Sequence, residues 1–327
     1  MHKTLEYINK SILLSILIIF ILSCSQNATN EYNDAYDCWV FLKSTGELVK
    51  LDNANMLILK RIGGFKNIVS IEVDPENSDV FICDSELKAV IILDKDGNIE
   101  KYVYGFSNPG KLVMNPSDKS LWVIDNDRLI HLSSDGNIDA NITGFGTIKD
   151  IDCSYNYGGR IWLASNDGYV VNINPDGFEN CRFIVNEPVL VSTETTTGYC
   201  WVLCKNGDIY LVDNNGNNIK LRKDKDFVNE GENPIISIYC PTDYKLWVGY
   251  FDGKIIRFDA DGFISPENFD VTLSQVGGMA IDREFRLLWV SDVGLNRVLQ
   301  ISTKGDIIQF KGGLINPNTA CVVNKIY

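Results

Sequence analysis

The feature that most constrains the fold is an aromatic residue that recurs in a short apolar run about every 42 residues. The run reads LWVID at 121–125 and LWVSD at 287–291, and the gaps between successive aromatic residues lie between 39 and 46 residues. Self-similarity at such a period is typical of repeat architectures, in which each copy is one supersecondary unit. The seven aromatic positions are Trp39, Phe81, Trp122, Trp162, Trp201, Trp247 and Trp289.

Each copy continues with a second alternating strand and a glycine turn. In one copy the strand is RLIHL at 128–132 and the turn is SDGN at 134–137. Asp-Gly and Asn-Gly are favoured in two-residue hairpin turns because both central positions take positive φ. The glycine turns are therefore predicted to be two-residue hairpins. The first copy differs, with NANM at 53–56.

A third, more polar strand and then a fourth strand complete each copy. Four antiparallel strands repeated seven times predict an all-β chain, folded as a seven-bladed β-propeller over residues 37–327. This region opens on a strand at Cys38 and finishes on Ala320–Asn324. The C-terminal strand is expected to close the first blade and so remove an open edge. The seven aromatic residues are then expected to be wedges that pack between neighbouring blades.

Residues 1–23 have the pattern of a secretory signal peptide. His2, Lys3 and Lys10 precede the apolar run Ile12–Leu22. This run is shorter than the ~20 residues that a membrane-spanning helix needs, so a cleaved signal is favoured over a membrane span.

The end of this segment, ILSC at 21–24, resembles the lipobox of bacterial lipoproteins, although Ile21 stands where the family more often has Leu. The resemblance implies that Cys24 carries palmitate-type acyl chains, more than one of which is needed for stable anchoring. Residues 24–36 are polar and are predicted to be a flexible tether. We expect a lipid-anchored, extracytoplasmic protein of the bacterial cell envelope. Ser25 follows Cys24, where an Asp would resemble an inner-membrane retention signal. The outer membrane is therefore favoured. The alternative is an ordinary secreted protein.

The charge of the chain bears on its partners. Removing the signal peptide takes away Lys3, Lys10 and Glu6, which leaves 28 Lys and Arg against 42 Asp and Glu, a net charge of −14. An acidic body argues against nucleic acid as a partner and against direct contact with anionic lipid. Membrane contact is therefore expected through the lipid anchor.

The Cys content leaves two interpretations open. An even count besides Cys24 in an exported protein is compatible with disulfides. However, these Cys lie mostly in apolar strand-like runs, where free Cys behaves as a small hydrophobe. Buried free thiols are predicted, with at least one disulfide as the alternative. The eight residues are Cys38, Cys83, Cys153, Cys181, Cys200, Cys204, Cys240 and Cys321.

Two stretches, 105–125 and 287–306, resemble NHL-type and streptogramin-lyase-like propeller repeats. The resemblance covers about 37–327 and implies a fold more than an activity, since the superfamily contains both protein-binding modules and enzymes. Streptogramin-type lyases, as the resemblance implies, use His with a carboxylate and a divalent metal. His131 is the only His after residue 23, and it lies in a predicted strand. A packed or surface role is favoured for it, and a His-dependent lyase site lacks its residues.

Lactonase-type propellers are the enzymes that fit the residue supply better, because carboxylate and Asn oxygens from several blades hold one Ca²⁺ in the sites they resemble. Oxygen ligands suit this hard cation. A ligand-binding rim at the ends of the strands is therefore one hypothesis. The favoured interpretation is structural, because Asn-Pro turns and Asp in tight loops recur wherever blades recur. The candidate rim residues are Asn108, Asn186, Asn233, Asn316, Asp84, Asp125, Asp252 and Asp292.

These observations predict a membrane-anchored binding module that offers its rim or channel to a protein or glycan of the envelope. No catalytic residue and no cofactor are expected. The long, charged segment at 221–234 is a candidate partner contact, with a solvated outer strand as the plainer interpretation. The alternative function is a divalent-metal-dependent, lactonase-like or lyase-like enzyme with its site in the channel, for which Ca²⁺ is the candidate metal.

Overall fold

The computed structural model describes residues 37–115, 117–154, 158–223, 234–259, 267–268, 271–282 and 286–322. These residues form seven four-stranded antiparallel sheets and contain no helix, which confirms the predicted seven-bladed β-propeller. In the same residues there is accordingly no helix with the length and apolar character needed to cross a membrane. The predicted signal peptide (1–23), Cys24 and the tether (24–36) lie outside the described ranges.

The four strands of each sheet are arranged in order from the propeller channel outward. The inner strands are β4 (Ile68–Val73), β8 (Pro109–Asn115), β12 (Ile148–Ser154), β16 (Pro188–Thr193), β20 (Pro234–Cys240), β24 (Val276–Asp282) and β28 (Pro317–Val322). The second strands, which carry the recurring aromatic residue, are β1 (Cys38–Leu42), β5 (Val80–Asp84), β9 (Ser120–Asp125), β13 (Arg160–Ser165), β17 (Cys200–Cys204), β21 (Lys245–Tyr250) and β25 (Leu287–Asp292).

The third strands are β2 (Glu47–Leu51), β6 (Ala89–Leu93), β10 (Arg128–Leu132), β14 (Tyr169–Ile173), β18 (Asp208–Val212), β22 (Ile255–Asp259) and β26 (Arg297–Ser302). The outer strands are β3 (Ile58–Gly63), β7 (Ile99–Tyr104), β11 (Ile138–Ile142), β15 (Glu179–Ile184), β19 (Asn218–Lys223), β23 (Glu267–Asn268) and β27 (Ile307–Gly312). Blade 1 is the sheet that contains β1, and blades 2 to 7 follow in chain order.

The first blade is completed by the last strand, as predicted. β28 pairs antiparallel with β1, and Trp39 lies opposite Cys321. The sheet order in this blade is β28, β1, β2, β3, whereas each other blade uses four consecutive strands. The ring is therefore closed by a pairing between the two ends of the described chain, which removes the exposed edge of β1.

The recurring aromatic side chains fill the spaces between blades. Trp39 belongs to an apolar cluster formed mainly by residues of blade 2, and Phe81 to a cluster with residues of blade 3. The pattern continues around the ring until Trp289 joins residues of blade 1. All seven are at least 95% buried. Because each ring packs into the following blade, the apolar core is a cycle of seven clusters between blades.

The third strand places a polar partner on several of these aromatic rings. Lys50 Nζ lies 5.7 Å from the centroid of the Trp39 ring, and the His131 and Trp122 ring centroids are 4.4 Å apart. The partner of Phe81 at the same register position is Ile92. A cation over an indole face is attracted by the ring quadrupole, so the Lys50–Trp39 pair contributes electrostatic attraction as well as burial.

The glycine turns differ from the predicted two-residue hairpins. In blade 2 the loop spans 94–98, where Asp94 N–H bonds to Asn98 O and Gly97 N–H bonds to Asp94 O. Gly97 has a φ of +77°, but Asp96 does not take positive φ. The prediction of two positive-φ residues was therefore wrong. A longer loop with one left-handed Gly next to a bulge provides the same reversal.

The Cys residues of the described chain are free thiols. Cys181 is half-buried and the others are buried. Burial raises the pKa of the Cys204 thiol to about 12. The side chain of Cys321 lies outside the description. The thiols described are Cys38, Cys83, Cys153, Cys181, Cys200, Cys204 and Cys240.

Candidate functional site

An irregularity near the start of every inner strand shapes one end of the channel. In β4 the register shifts between Ile68 and Ser70, and in β12 between Ile148 and Asp150. A bulge leaves a residue outside the regular pairing and re-aims its side chain. The residues within the irregularities that line the channel are called the bulge ring, and they are Val69, Lys111, Lys149, Ile235, Gly277 and Thr319.

The inner strands enclose a cavity of about 420 Å³, called the channel cavity. All seven inner strands contribute to its wall, and Thr319 is the contribution of β28. A volume of this order is at the lower end of the range of small-molecule sites.

The wall of the channel cavity is divided by chemistry. Every charged residue of the lining comes from blades 2 to 4, and the inner strands of blades 6 and 7 supply Ile235, Ile236, Ile238, Met279 and Ile281. Among the described lining residues, charged groups are therefore confined to one side, where Val69, Ile71, Val73 and Met114 also add apolar surface, and the opposite side is uncharged. The charged residues of the lining are Glu72, Lys111, Lys149, Asp150 and Asp152.

The centre of the charged side is an ion pair between two inner strands. Lys111 Nζ lies 2.8 Å from Asp150 Oδ1, and the Asp150 side chain is 5% exposed. Burial acts to lower the pKa of the Lys111 ammonium, but the carboxylates of Asp150 and Asp152 outweigh it, so this pKa lies above its ordinary value. Burial raises the pKa of Asp150, and Lys111 acts against that rise. Lys111 thus stays charged at the channel wall.

The two carboxylates of β12 also bind the next inner strand. Asp150 Oδ2 accepts the Val191 N–H at 2.9 Å, and Asp152 Oδ2 accepts the Thr193 N–H at 2.7 Å. Asp152 Oδ1 accepts the Cys153 N–H at 3.0 Å. All four carboxylate oxygens therefore have donors, and these contacts join blade 4 to blade 5.

Lys149 has a different environment from Lys111. It is exposed and lines the channel cavity. Within the described part of the chain, its ammonium group has no hydrogen bond or ion pair. Lys149 is next to Asp150 in the sequence, and Asp150 pairs with Lys111. The two Lys residues therefore belong to the same part of the channel wall.

The residues at the channel do not fit a Ca²⁺ site. Among the described residues, no group of three or more His, Cys, Asp and Glu is placed to hold a metal ion. The oxygens of Asp150 and Asp152 already accept N–H groups or the Lys111 ammonium, and a cation at that place would be repelled by Lys111.

Three of the predicted rim carboxylates bind backbone N–H groups of loops. Asp84 is fully buried and accepts the backbone N–H groups of Lys66 and Asn67, at 2.8 and 3.1 Å. Asp125 and Asp292, also fully buried, accept N–H groups of the corresponding loops in their own blades. Arg128 and Arg297 also bind these two carboxylates. Each of the three carboxylates holds the loop that enters the inner strand of its own blade, and the structure does not bring the three together.

The other rim candidates are spread over separate loops. Asn108 is exposed and donates to Asn126 Oδ1, and Asn186 is exposed. Asn316 is half-buried, and its N–H bonds to Asn296 Oδ1. Asp252 is exposed and accepts one turn N–H, from Lys254. Asn233 lies outside the described residues, as does most of the segment 221–234.

His131 lies on the third strand of blade 3, away from the channel lining. Its ring contacts Trp122, and its Nδ1 atom is 2.5 Å from Asp139 Oδ1. It is half-buried. The packed position favoured from the sequence matches this environment.

The Lys residues of the bulge ring were missed by sequence reasoning. The available signal was the presence of Lys111 and Lys149 near the starts of two successive inner strands, where the other members of the bulge ring are apolar residues, Gly or Thr. Their placement at the channel depends on the bulges, which no turn or motif in the sequence marks.

Comparisons with known proteins identify the fold. No protein-family model and no curated protein sequence matches the chain. Virginiamycin B lyase from Staphylococcus aureus is 17% identical with a TM-score of 0.66, over 77% of this chain and 87% of that chain. Kuenenia stuttgartiensis hydrazine synthase is 12% identical with a TM-score of 0.68, over 78% and 89%. A functionally unknown protein from Desulfotomaculum acetoxidans is 14% identical with a TM-score of 0.74, over 89% and 100%.

At these identities, the similarity shows the fold alone. The lyase neighbours support the propeller part of the resemblance that the repeats predicted. The NHL-type assignment and the lipoprotein assignment stay predictions.

Proposed function

We propose that this chain is a binding module of the bacterial cell envelope whose ligand is taken into the channel cavity. The observation that carries the proposal is the divided wall, with charged groups from blades 2 to 4 and apolar groups from blades 6 and 7. Sites that bind ligands are concave and mostly apolar, with a few polar groups that fix orientation. The channel cavity is concave and combines apolar surface with a few charged groups that can fix the orientation of a ligand, and the ligand is a component of an envelope glycan or protein.

The cellular address is part of the proposal and rests on the sequence. Cys24 would carry the acyl chains, and the outer membrane is the favoured location. Growth with labelled palmitate tests it: the wild-type chain is expected to take up label, and Cys24→Ser is expected to remain unlabelled and to leave the membrane fraction. Equal labelling of both chains would contradict the anchor.

The binding function is tested by obstructing the channel. Val69 and Ile235 belong to the bulge ring and are 37% and 36% exposed, so Trp at either position would narrow the opening. Ile184→Trp is a matched control, since Ile184 is 83% exposed on the outer strand β15. With Cys24→Ser in every chain tested, so that the lipid anchor does not contribute, we expect saturable binding to envelope preparations of the source bacterium, retained by Ile184→Trp.

Both Val69→Trp and Ile235→Trp are expected to abolish this binding. Unchanged binding by both variants, with unchanged thermal unfolding, would place the binding surface elsewhere and overturn the proposal. Absence of saturable binding by the wild-type chain would overturn it as well.

A lyase-like or lactonase-like enzyme is the second candidate. The observation in its favour is that Glu72, Lys111 and Asp152 line one cavity in a chain that shares its fold with virginiamycin B lyase. Turnover of virginiamycin B or of lactones by the wild-type chain, lost in Asp152→Asn, would support the enzyme. Absence of turnover, together with channel-dependent binding, would leave the binding module.

A further inference from the structure

We infer that the ligand of the channel cavity carries a carboxylate, which Lys149 and Lys111 bind at the bulge ring. The inference rests on the proposed function and names the chemical class of the ligand. It is a small molecule, or the end of a larger one, with an anionic group joined to an apolar body.

The first argument is the state of the two ammonium groups. Lys149 lines the channel cavity and has no partner within the described residues. Lys111 shares its charge with Asp150, but its side chain remains 35% exposed. A Lys ammonium has three N–H donors, so Lys111 can bind Asp150 and a ligand oxygen together. The two Lys residues lie on adjacent inner strands, β8 and β12.

The second argument is that Asp150 and Asp152, the two carboxylates next to Lys149 and Lys111, already have partners. Asp150 and Asp152 accept backbone N–H groups of β16, at 2.9 and 2.7 Å. These bonds fix the carboxylates, and Asp150 in turn fixes the ammonium group of Lys111. A cationic ligand would have to compete with these bonds, whereas an anionic ligand adds to donors that are still available.

The third argument concerns two hydroxyl groups of the channel wall. Thr193 and Ser237 line the cavity and are 3% and 8% exposed. Their hydroxyl oxygens have no hydrogen-bond partner within the described part of the chain. Both oxygens are covered by neighbouring atoms, so a bond to a ligand requires the side chain to rotate towards the cavity. Such a bond would relieve the cost of a buried hydroxyl without a partner.

The apolar side of the wall defines the rest of the ligand. Ile235, Ile236 and Met279 face this part of the cavity from blades 6 and 7. A carboxylate bound at Lys149 therefore has an apolar surface across the channel, against which an alkyl or aryl group can be buried.

Three probes with one apolar body separate the contributions: phenylbutyrate, phenylbutanol and phenylbutylamine. Calorimetric titration of the full chain is expected to give the highest affinity for phenylbutyrate, by about ten-fold over the alcohol, because a charge-assisted hydrogen bond is stronger than a neutral one. The preference is expected to fall as salt is added, because salt screens charges at an exposed site.

Lys149→Gln is the diagnostic variant, because Lys149 is exposed and without a partner, so the fold does not depend on it. It is expected to reduce the affinity for phenylbutyrate about five-fold or more and to leave the affinity for phenylbutanol unchanged. Lys95→Gln is the matched control, since Lys95 is exposed in the loop between β6 and β7, outside the channel lining. It is expected to change neither affinity.

Equal affinities for the acid and the alcohol, tighter binding of the amine, or an unchanged affinity in Lys149→Gln would overturn the inference. If Val69→Trp abolishes envelope binding while the acid shows no preference, the proposed function stands and the carboxylate inference fails. If no probe binds and the channel variants bind envelopes normally, both fail.

Discussion

The side-chain amide of Gln300 donates hydrogen bonds to the backbone and side-chain oxygens of Asn53, 247 residues earlier in the chain, at 3.0 and 2.9 Å. Gln309 Nε2 adds a bond to the same carbonyl, at 3.1 Å, and one to Gln300 Oε1, at 2.6 Å. This amide network joins blade 7 to blade 1 beside the pairing of β28 with β1. It is a second connection across the closing point of the ring.

Replacing Gln300 is expected to weaken closure. Gln300 is fully buried, so Gln300→Leu removes the donor and leaves Asn53 oxygens without it. The cost of such a group is about 1–3 kcal/mol of unfolding free energy. Urea unfolding checks this, with Gln275→Leu as a control because the Gln275 side chain has no hydrogen bond in the described structure. Equal unfolding free energies for the Gln300 variant and the control would show that the amide network does not contribute to stability.

The buried carboxylate of Asp84 is expected to be a determinant of stability. It accepts N–H groups from Lys66, Asn67, Glu86 and Leu87. Asp84→Ala leaves these donors without that acceptor and is expected to lower the unfolding free energy by about 2–3 kcal/mol. Asp252→Ala is the control, because Asp252 is exposed and accepts one turn N–H. Equal thermal midpoints for the two variants would contradict the assigned contact.

Gly97 is expected to resist substitution. Its φ is +77°, and a Cβ atom there would lie 2.6 Å from Ile62 Cδ1 and 3.3 Å from Trp39 Cη2. Gly97→Ala is expected to cost about 1–2 kcal/mol from the left-handed backbone, with the crowding added. Gly63→Ala is the control, since no atom lies within 4 Å of a Cβ at that position. Denaturant midpoints that move equally would contradict the explanation.

Stability is expected to fall at alkaline pH. The pKa of Cys204 is about 12 in the folded chain, raised by burial from 9.0. Above pH 9 the unfolded thiol loses its proton while the folded one keeps it, so stability declines as pH rises from about 9 to 12. Lys111, whose folded pKa is also raised, adds a loss above pH 10.5. Thermal midpoints measured from pH 7 upward check the sign, and a midpoint that rises would contradict it.

The same burial predicts the order of thiol reactivity. Cys181 is half-buried, whereas the other described Cys residues are buried. A thiol reagent is therefore expected to modify Cys181 before the six buried Cys residues of the described chain, which react after unfolding, because the exposed thiolate is the reactive form. Mass spectrometry of the modified peptides would identify the site, and early modification of Cys200 would contradict the assignment of the core.

The fold was predictable from the sequence because one aromatic residue per copy occupies the same place between blades. Trp39 and Trp289 report this periodicity even though their neighbours differ. The role of Asp84 was less accessible, since a strand-end carboxylate can face a ligand or a loop, and the choice depends on where the N–H groups of Lys66 and Asn67 point. Lys149 shows a further limit, because a bulge that turns a side chain into a channel leaves no regular mark on the sequence.

The pairing of Cys38 with Val322 also determines when the fold can be finished. Six of the seven sheets use neighbouring strands and can form as soon as their own four strands are available. Blade 1 cannot, because its inner strand is β28, the last strand of the described chain. Until then its inner edge offers unpaired N–H and C=O groups to any other extended chain. We therefore expect ring closure to be the late step of folding, and the interval before it to be the time at which aggregation competes most strongly.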